Sequence, residues 1–289
     1  MKYGIREICD VVLKAKAPVK VGNKTFAKGE PVIYFDSLKT STMEGAATTV
    51  YAQGGRGNSR LVAWEGERTV TFTMEDALIS ELGLAVLTGA GIIEAGVENA
   101  VITVHTTAKY SAKEEFAVEE TVDAAADIYA IELDEYDNVV ATSDATHKVT
   151  YADSKFTYTV QKEGLTKAVM FDFYIKKTSG AKQIEITADK FAGNYYLEAS
   201  TLFRAQDGID HPAEFIIPNC KIQSNFTFTM ASSGDPSTFT FTMDAIPDYT
   251  KFDYPKKVLS VIQIIDETAP IVDKTDAADS TDNIEEDEE

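Results

Sequence analysis

Cysteine is scarce in this chain of 289 residues. Cys9 and Cys220 are the only two; they lie far apart in sequence, and neither belongs to a spacing typical of a metal or redox site. Because cytosolic thiols are kept reduced, we expect two free thiols in a protein made in a cytosol. A disulfide between them is the alternative.

Long hydrophobic runs are absent. No segment approaches the length of a membrane-spanning helix, and Met1–Glu7 lacks the apolar stretch of a signal peptide. We therefore expect a soluble protein that has no membrane partner and is not exported by the usual route.

Residues typical of catalysis are few and scattered. His105, His147 and His211 have no cysteine or carboxylate neighbours at ligand spacing. Gly54–Gly57 is not followed by Lys-Ser/Thr and precedes a strand pattern, which favours a hairpin tip over a phosphate loop. Asp134–Asn138 is rich in oxygen but lacks calcium-loop spacing, which favours an exposed turn. The sequence predicts no enzyme, no catalytic residue, no metal site and no cofactor.

Positive charge is also sparse, with 27 Lys and Arg against 47 Asp and Glu and a net charge of −20. Residues 266–289 hold eleven acidic residues against Lys274, which is half of the excess. The other half of the excess negative charge is spread over the preceding residues. This argues against a general nucleic-acid binder, because binding phosphate requires clustered basic residues. We expect 266–289 to be a disordered acidic tail.

A repeated pattern dominates what is present. Thr-Phe-Thr-Met occurs at Thr71–Met74, Thr227–Met230 and Thr240–Met243, each time inside a longer alternation of apolar and hydroxylated residues. Successive strand side chains point to opposite faces of a sheet, so each copy predicts a strand with one buried face and one barely charged hydroxyl face. A half-solvated antiparallel sheet is the ordinary interpretation, and a wall lining an aqueous space is the other.

The remaining patterns complete an all-β fold: a β-sandwich or barrel of mostly antiparallel strands, with long hairpins. Leu38–Ala52 and Leu61–Trp64 predict a hairpin with a glycine-rich tip, and a second turn is predicted at Glu65–Glu67. One packed α-helix is expected at about 76–88, with Leu78, Leu82, Ala85 and Val86 on one stripe.

Further strands are expected along the rest of the chain. Strands at seven places between 100 and 202 predict a meander, and Asn225–Met230 is expected to pair with Thr238–Met243 as a hairpin. Lys257–Ile265 predicts the final strand. We expect one β-rich domain over 1–265, with about 100–190 as a candidate inserted or elaborated outer part.

Two blocks of the sequence resemble the tail tube proteins of tailed bacteriophages. The first is Pro31–Ile79, and the second consists of Gly193–Phe203, Phe215–Ile222, Asn225–Met230, Gly234–Phe239 and Asp244–Asp248. The order and spacing of the pieces carry the resemblance, since none of the motifs is diagnostic alone. The section 100–190 and the acidic tail have no match in it.

The resemblance implies a structural virion protein made in the host cytoplasm. Such proteins form stacked hexameric rings in which each subunit adds strands to one inner β-barrel, and the tube conducts the genome during ejection. The partners implied are further copies of the chain, with the sheath, baseplate and tape measure proteins as candidates; the DNA passes without sequence-specific binding. A monomeric β-sandwich binding or adhesion module is the alternative function.

Within that resemblance, two sets of residues become candidates for the tube. Candidates for facing the lumen are Thr69, Thr71, Thr73, Thr227, Thr229, Thr240 and Thr242, while Val70, Phe72, Met74, Phe226, Phe228, Phe239 and Phe241 would pack away from it. Candidates for contacts between subunits or rings lie in the glycine-rich tip: Gly54, Gly55, Arg56, Gly57 and Asn58.

Overall fold

A computed structural model describes residues 2–230, 232–233, 237–252 and 256–265. The chain divides into two compact units, unit 1 (Met1–Gly89 with Lys190–Glu289) and unit 2 (Ala90–Asp189). Strands account for 55% of the residues and helices for 4%, and the strand pairs are antiparallel, so the predicted all-β class is confirmed. The expected acidic tail, 266–289, lies outside the described residues.

The described residues form the following elements in chain order: β1 Tyr3–Ile5, β2 Asp10–Ala15, β3 Val19–Val21, β4 Lys24–Phe26, β5 Pro31–Phe35, β6 Leu38–Gly54, β7 Ser59–Asp76, α1 Glu81–Thr88, β8 Gly91–Glu94, a 3-10 turn Val97–Asn99, β9 Ile102–Ser111, β10 Phe116–Ala117, β11 Tyr129–Leu133, β12 Val139–Thr142, β13 Thr150–Ala152, β14 Lys155–Thr157, β15 Ala168–Lys177, β16 Lys182–Glu185, β17 Asn194–Ala205, β18 Asp210–Ile222, β19 Phe239–Ala245, β20 Asp248–Tyr249, β21 Lys257–Val258 and β22 Val261–Ile264.

Unit 1 is built on one large sheet. Among its described residues nine strands join, in the order β5-β2-β17-β18-β19-β7-β6, with β1 beside β17 and β22 beside β18. Alternate side chains of these strands are fully buried, as period-2 patterning requires. The largest of them are Leu13, Phe72, Met74, Tyr195, Leu197, Ile216, Ile217, Ile222, Phe241 and Met243.

Helix α1 is shorter than the predicted 76–88. It begins at Glu81, where the Ser80 hydroxyl accepts the N–H of Gly83, and ends at Thr88, after which Gly89 adopts a left-handed conformation with φ 73°. The preceding residues form a turn because the Asp76 carboxylate accepts the Leu78 N–H and the Ser37 hydroxyl. Leu78 is therefore 69% exposed and does not join the apolar stripe.

Three other predictions about unit 1 were wrong. The expected turn at Glu65–Glu67 is a β-bulge inside β7, since Ala47 pairs with Arg68 and Thr49 with Glu65. Asn225–Met230 forms no strand, so the predicted hairpin with Thr238–Met243 does not exist, and β19 pairs with β7 and β18 instead. The final strand is two short strands, β21 and β22.

Unit 2 has a core of its own. It contains a four-stranded sheet, β12-β11-β15-β9, and a three-stranded sheet, β10-β14-β13, while β8 pairs with β16; all of its residues are described. Aromatic side chains fill its core, with ring centroids of Phe156 and Phe171 4.7 Å apart and those of Phe116 and Phe171 4.8 Å apart. Such contacts add to the free energy gained by burying apolar area.

Candidate functional site

Strands β6, β7 and β19 carry hydroxyl and acidic side chains in register on one face. Thr73 lies opposite both Thr42 and Thr242. We call this surface the hydroxyl face; paired residues of an antiparallel sheet share a face, so its eleven positions follow from the register. They are Thr40, Thr42, Glu44, Ala46, Thr69, Thr71, Thr73, Glu75, Thr240, Thr242 and Asp244.

The opposite face of β7 and β19 lies in the core. Phe72, Met74, Phe241 and Met243 are each at most 2% exposed, and Phe239 is buried as well. The Phe35 and Phe241 ring centroids are 4.9 Å apart, which joins β19 to β5 through the core. This confirms the burial that the alternation predicted for Phe72, Met74, Phe239 and Phe241, whereas Val70 is only half-buried.

The hydroxyl face is acidic where it is charged. Its eleven positions include Glu44, Glu75 and Asp244 and neither lysine nor arginine. The Thr71 hydroxyl donates to the Asp244 carboxylate at 3.1 Å, and the Gln223 amide donates to the same carboxylate at 2.9 Å. Sequence reasoning missed these three acids, although each alternates with apolar residues in the same strands as the threonines.

Two of the seven threonine candidates lie elsewhere. Thr227 and Thr229 belong to the segment that forms no strand, so the register places neither on the hydroxyl face. Phe226 and Phe228, expected to be packed, are 38% and 43% exposed. The segment still contacts β19, because the Phe228 and Phe239 ring centroids are 5.2 Å apart and the Ser237 hydroxyl donates to the Thr229 carbonyl.

The outer half of the β6–β7 hairpin is a two-stranded ribbon. Pairing between β19 and β7 ends at Thr71, and beyond the bulge the two strands of the ribbon pair only with each other among the described residues. We call residues 48–66 the ribbon. Its large apolar side chains are exposed: Val50 61%, Tyr51 38%, Leu61 64%, Val62 49% and Trp64 55%.

The tip of the ribbon is the predicted glycine-rich turn. Gly55 and Gly57 have φ of 79° and 85°, a region that glycine enters without strain, and Asn58 has φ 49°. The Asn58 N–H donates to the Gly55 carbonyl at 3.2 Å and closes the turn. The tip is a hairpin turn and not a phosphate loop, and Arg56 is exposed on it.

The histidines, the cysteines and the acidic turn 134–138 form no catalytic or metal site in the described part of the chain. His105 Nε2 lies 2.9 Å from Asp172 and His147 Nδ1 lies 3.3 Å from Asp144, carboxylate neighbours that sequence spacing did not predict. Among the described residues no group of three His, Cys, Asp or Glu side chains is placed to hold a metal ion. Cys9 and Cys220 are both buried free thiols, as expected. The Asp134 carboxylate accepts N–H bonds from Tyr136 and Asn138, which makes 134–138 the exposed turn that was predicted.

A protein-family model matches most of the chain. The model of a family described as the YomU/Tube protein family matches residues 10–254, which include most of the chain, all of unit 2 and much of unit 1. No curated protein matches the chain. In the described part of the chain no helix is long and apolar enough to cross a membrane.

Proposed function

The chain belongs to the YomU/Tube protein family, a family of phage tail tube proteins, and we propose that it assembles into stacked hexameric rings that form the tube. A tail tube protein is a component of the virion. Its role in this proposal is structural: the assembled tube conducts the genome during ejection, and the chain has no catalytic role. The sheath, baseplate and tape measure proteins are the proposed neighbours of that tube.

The ribbon is the observation that carries the proposal. A two-stranded ribbon is only marginally stable by itself in water, and this one exposes five large apolar side chains. Clustered exposed apolar residues mark surfaces that bind another protein. A neighbouring copy that covers Val50 and Trp64 would stabilise the ribbon and bury their apolar area at once.

The free edges of the sheet supply the means of assembly. The nine-stranded sheet begins at β5 and ends at β6, and among the described residues neither β5 nor β6 has a neighbour on its outer side. An unpaired edge is a template for another strand, and closing a sheet into a barrel removes its edges. In the proposed ring, pairing at these edges joins the sheets of adjacent copies into one barrel.

The hydroxyl face is the proposed wall of the lumen. DNA is retained by basic residues that neutralise its phosphates, and the eleven positions of this face hold three carboxylates and no lysine or arginine, with Lys221 of β18 at their border opposite Asp244. Acidic and uncharged walls offer a polyanion no such contact. Thr69, Thr71, Thr73, Thr240 and Thr242 remain lumen candidates on this reasoning, whereas Thr227 and Thr229 have no such support.

Electron microscopy of the purified chain tests the assembly. Negative-stain images at rising protein concentration and salt, taken beside sedimentation profiles, should show rings or hollow tubes. A chain that stays monomeric at every concentration would contradict self-assembly and favour the monomeric binding module.

Thiol labelling tests the lumen within the tubes. Cys9 and Cys220 are buried, so the thiol introduced by Thr240→Cys is the reactive one. A maleimide carried on a large polymer should label this thiol in free subunits but not in tubes, while a small maleimide labels both. Thr157→Cys, an exposed threonine of unit 2, is the control that should react with both reagents in both states. Equal labelling of the Thr240 variant in tubes by the large reagent would place the hydroxyl face outside the lumen.

A further inference from the structure

Basic residues are segregated in this acidic chain. Residues 11–29 contain five lysines and no acidic residue, and residues 249–265 contain three lysines and a single acid, Asp253. The remaining sequence is correspondingly more acidic than the net charge of −20 suggests. The lysines are Lys14, Lys16, Lys20, Lys24, Lys28, Lys251, Lys256 and Lys257.

The fold of unit 1 brings the two lysine-bearing segments together. Lys16, Lys28 and Lys251 line a cavity of about 350 Å³ beside Tyr196 and Tyr249. Lys251 Nζ lies 4.6 Å from the centre of the Tyr196 ring, and Lys257 Nζ lies 5.5 Å from that of Tyr249. The tyrosine rings thus hold two of the ammonium groups at the edge of the cavity.

Nearby carboxylates offset only part of this positive charge. Lys14 and Lys251 both form ion pairs with Glu198, and Lys251 Nζ lies 3.5 Å from the Glu198 carboxylate. Lys16 Nζ lies 2.8 Å from the Asp248 carboxylate. Glu214 lies close enough to Lys14 and Lys251 to interact with them electrostatically, and the Glu30 carboxylate accepts the Ala27 N–H.

Three lysines of residues 11–29 form no ion pair with a described residue. Lys20, Lys24 and Lys28 are exposed, and the described part of the chain provides no ion pair for any of them. The lysine surface, which we define as the cavity with Lys20, Lys24, Lys28, Lys251 and Lys257, therefore has capacity for an anionic partner.

The best-matched partner is part of the same chain. Residues 266–289 carry eleven acidic residues and begin immediately after Ile265, whose N–H donates to the Pro212 carbonyl at 2.9 Å. Pro212 lies opposite Leu202 on β17, six residues from Tyr196 and hence roughly 20 Å from the cavity at about 3.3 Å per residue. A segment of 24 residues can span up to roughly 80 Å, so its acidic end reaches the cavity easily.

We propose that the acidic segment 266–289 docks on the lysine surface of its own chain through carboxylate–ammonium pairs. The short tether gives the segment a local concentration in the millimolar range, which favours the chain's own segment over that of another copy. The pairs are exposed, so salt weakens the contact. This inference goes beyond tube formation and does not depend on it.

Zero-length cross-linking of the full chain tests the contact. A carbodiimide joins a carboxylate to an ammonium group only where the two already touch, and mass spectrometry identifies the joined peptides. In a monomeric sample at low salt, acids of 266–289 should couple to Lys20, Lys24, Lys28, Lys251 and Lys257 several-fold more than to Lys113 and Lys148, which are exposed lysines of unit 2. High salt should remove the preference, and coupling in proportion to lysine exposure alone would overturn the proposal.

Isotope mixing decides whose segment docks. When equal amounts of labelled and unlabelled copies are mixed before the reaction, every link within one chain contains a single isotope, whereas half of the links between copies contain both. We expect single-isotope links. A fraction of mixed links close to one half, the value for links formed only between copies, would overturn the assignment to the same chain.

Charge-matched variants complete the test. Lys24→Gln with Lys28→Gln should reduce coupling at the unchanged Lys251 and Lys257 several-fold, whereas Lys113→Gln with Lys148→Gln removes equal charge and should leave it unchanged. All four side chains are exposed, so circular dichroism should show the same fold for both variants. Equal coupling at Lys251 and Lys257 in the two variants would contradict docking on the lysine surface.

Discussion

Glu132 is a buried carboxylate with a complete set of donors. It is 0% exposed, and it accepts the N–H groups of Gln161 and Lys162 at 2.5 and 3.1 Å. The hydroxyls of Thr166 and Tyr158 donate to it at 2.5 and 2.9 Å. One side chain on β11 thereby fixes residues 158–166, which contain no strand of their own.

Replacing Glu132 should destabilise unit 2. Glu132→Gln places an amide N–H among groups that are themselves donors, and a buried donor without an acceptor costs about 1–3 kcal/mol, more where a charged hydrogen bond is lost. We expect amide hydrogens of β11 and β15 to exchange faster by a corresponding factor. Glu135→Gln, the same change at an exposed position of the next turn, should leave exchange unaltered. Equal exchange in the two variants would show that the network contributes nothing.

The same carboxylate makes unit 2 sensitive to acid. Burial favours the neutral form of Glu132, but the N–H of Gln161, the hydroxyls of Thr166 and Tyr158 and the N–H of Lys162 outweigh it and lower the pKa. A lowered pKa adds stability that is fully present above the ordinary glutamate pKa and is lost as the pH falls through the lowered value. The difference in unfolding free energy between the natural chain and Glu132→Gln should therefore be large at neutral pH and shrink in acid. A difference that grew in acid would contradict the direction of the shift.

At the scale of elements, Gly89 fixes the end of α1. Its φ is 73°, and a Cβ there would lie 2.5 Å from the backbone carbonyl of Phe191, which is too close for either backbone to remain in place. We expect Gly89→Ala to destabilise unit 1 by about 2 kcal/mol or more, from the left-handed conformation together with the clash. Gly91→Ala is the matched control, since φ there is ordinary and nothing lies within 4 Å of the added carbon. Thermal unfolding that shifts equally in both variants would refute the role given to Gly89.

The ribbon should matter for assembly and not for folding. Val50 and Trp64 lie opposite each other and are 61% and 55% exposed, so Val50→Ser with Trp64→Ser should change the unfolding free energy by about 0.5 kcal/mol or less. The protein concentration needed to form rings should rise, because the proposed interface loses its apolar contacts. Val139→Ser with Tyr136→Ser, exposed by 61% and 77% in unit 2, should leave that concentration unchanged. An equal effect of both pairs, measured by sedimentation, would exclude a specific role for the ribbon.

Local patterns predicted much of this fold, and long-range contacts explain the failures. Alternation correctly predicted the hairpin β6–β7 and the buried face of β19, because both depend on the period of side chains along a strand. Asn225–Met230 has the same alternation but forms no strand, and the hydrogen bonds from β18 to β19 end with the Gln223 N–H to the Thr242 carbonyl. Strand patterning tells which face is apolar and not which strand pairs with which.

The candidate site was predictable to a similar extent. The threonines of β7 and β19 were found from their alternation, but the register that joins them to Thr40 and Thr42 of β6 is a property of the folded sheet. The apolar ribbon was overlooked because exposed and buried apolar residues look alike in a sequence. Along β7, the alternation of buried and exposed side chains does not continue past the bulge at Gly66. Beyond the bulge both faces of the ribbon are exposed.

For the chain as a whole, we expect the acidic segment to make copies of the chain repel one another. Half of the net charge of −20 lies in residues 266–289, and repulsion between like-charged proteins weakens with salt. If the chain forms tubes as proposed, a chain that ends at Ile265 should assemble faster than the full chain in low salt, and the two rates should converge as salt rises. Light scattering after dilution into assembly buffer gives both rates.

Charge and length are separable in this experiment. A segment of the full 24 residues, with its acids replaced by Asn and Gln, should assemble as fast as the shortened chain if repulsion is the cause. A neutral segment that assembled as slowly as the natural one would assign the delay to the bulk of the segment. Identical assembly rates for the natural and shortened chains in low salt would exclude any control of assembly by residues 266–289. That result would not decide whether the segment docks on the lysine surface, which the cross-linking experiment tests separately.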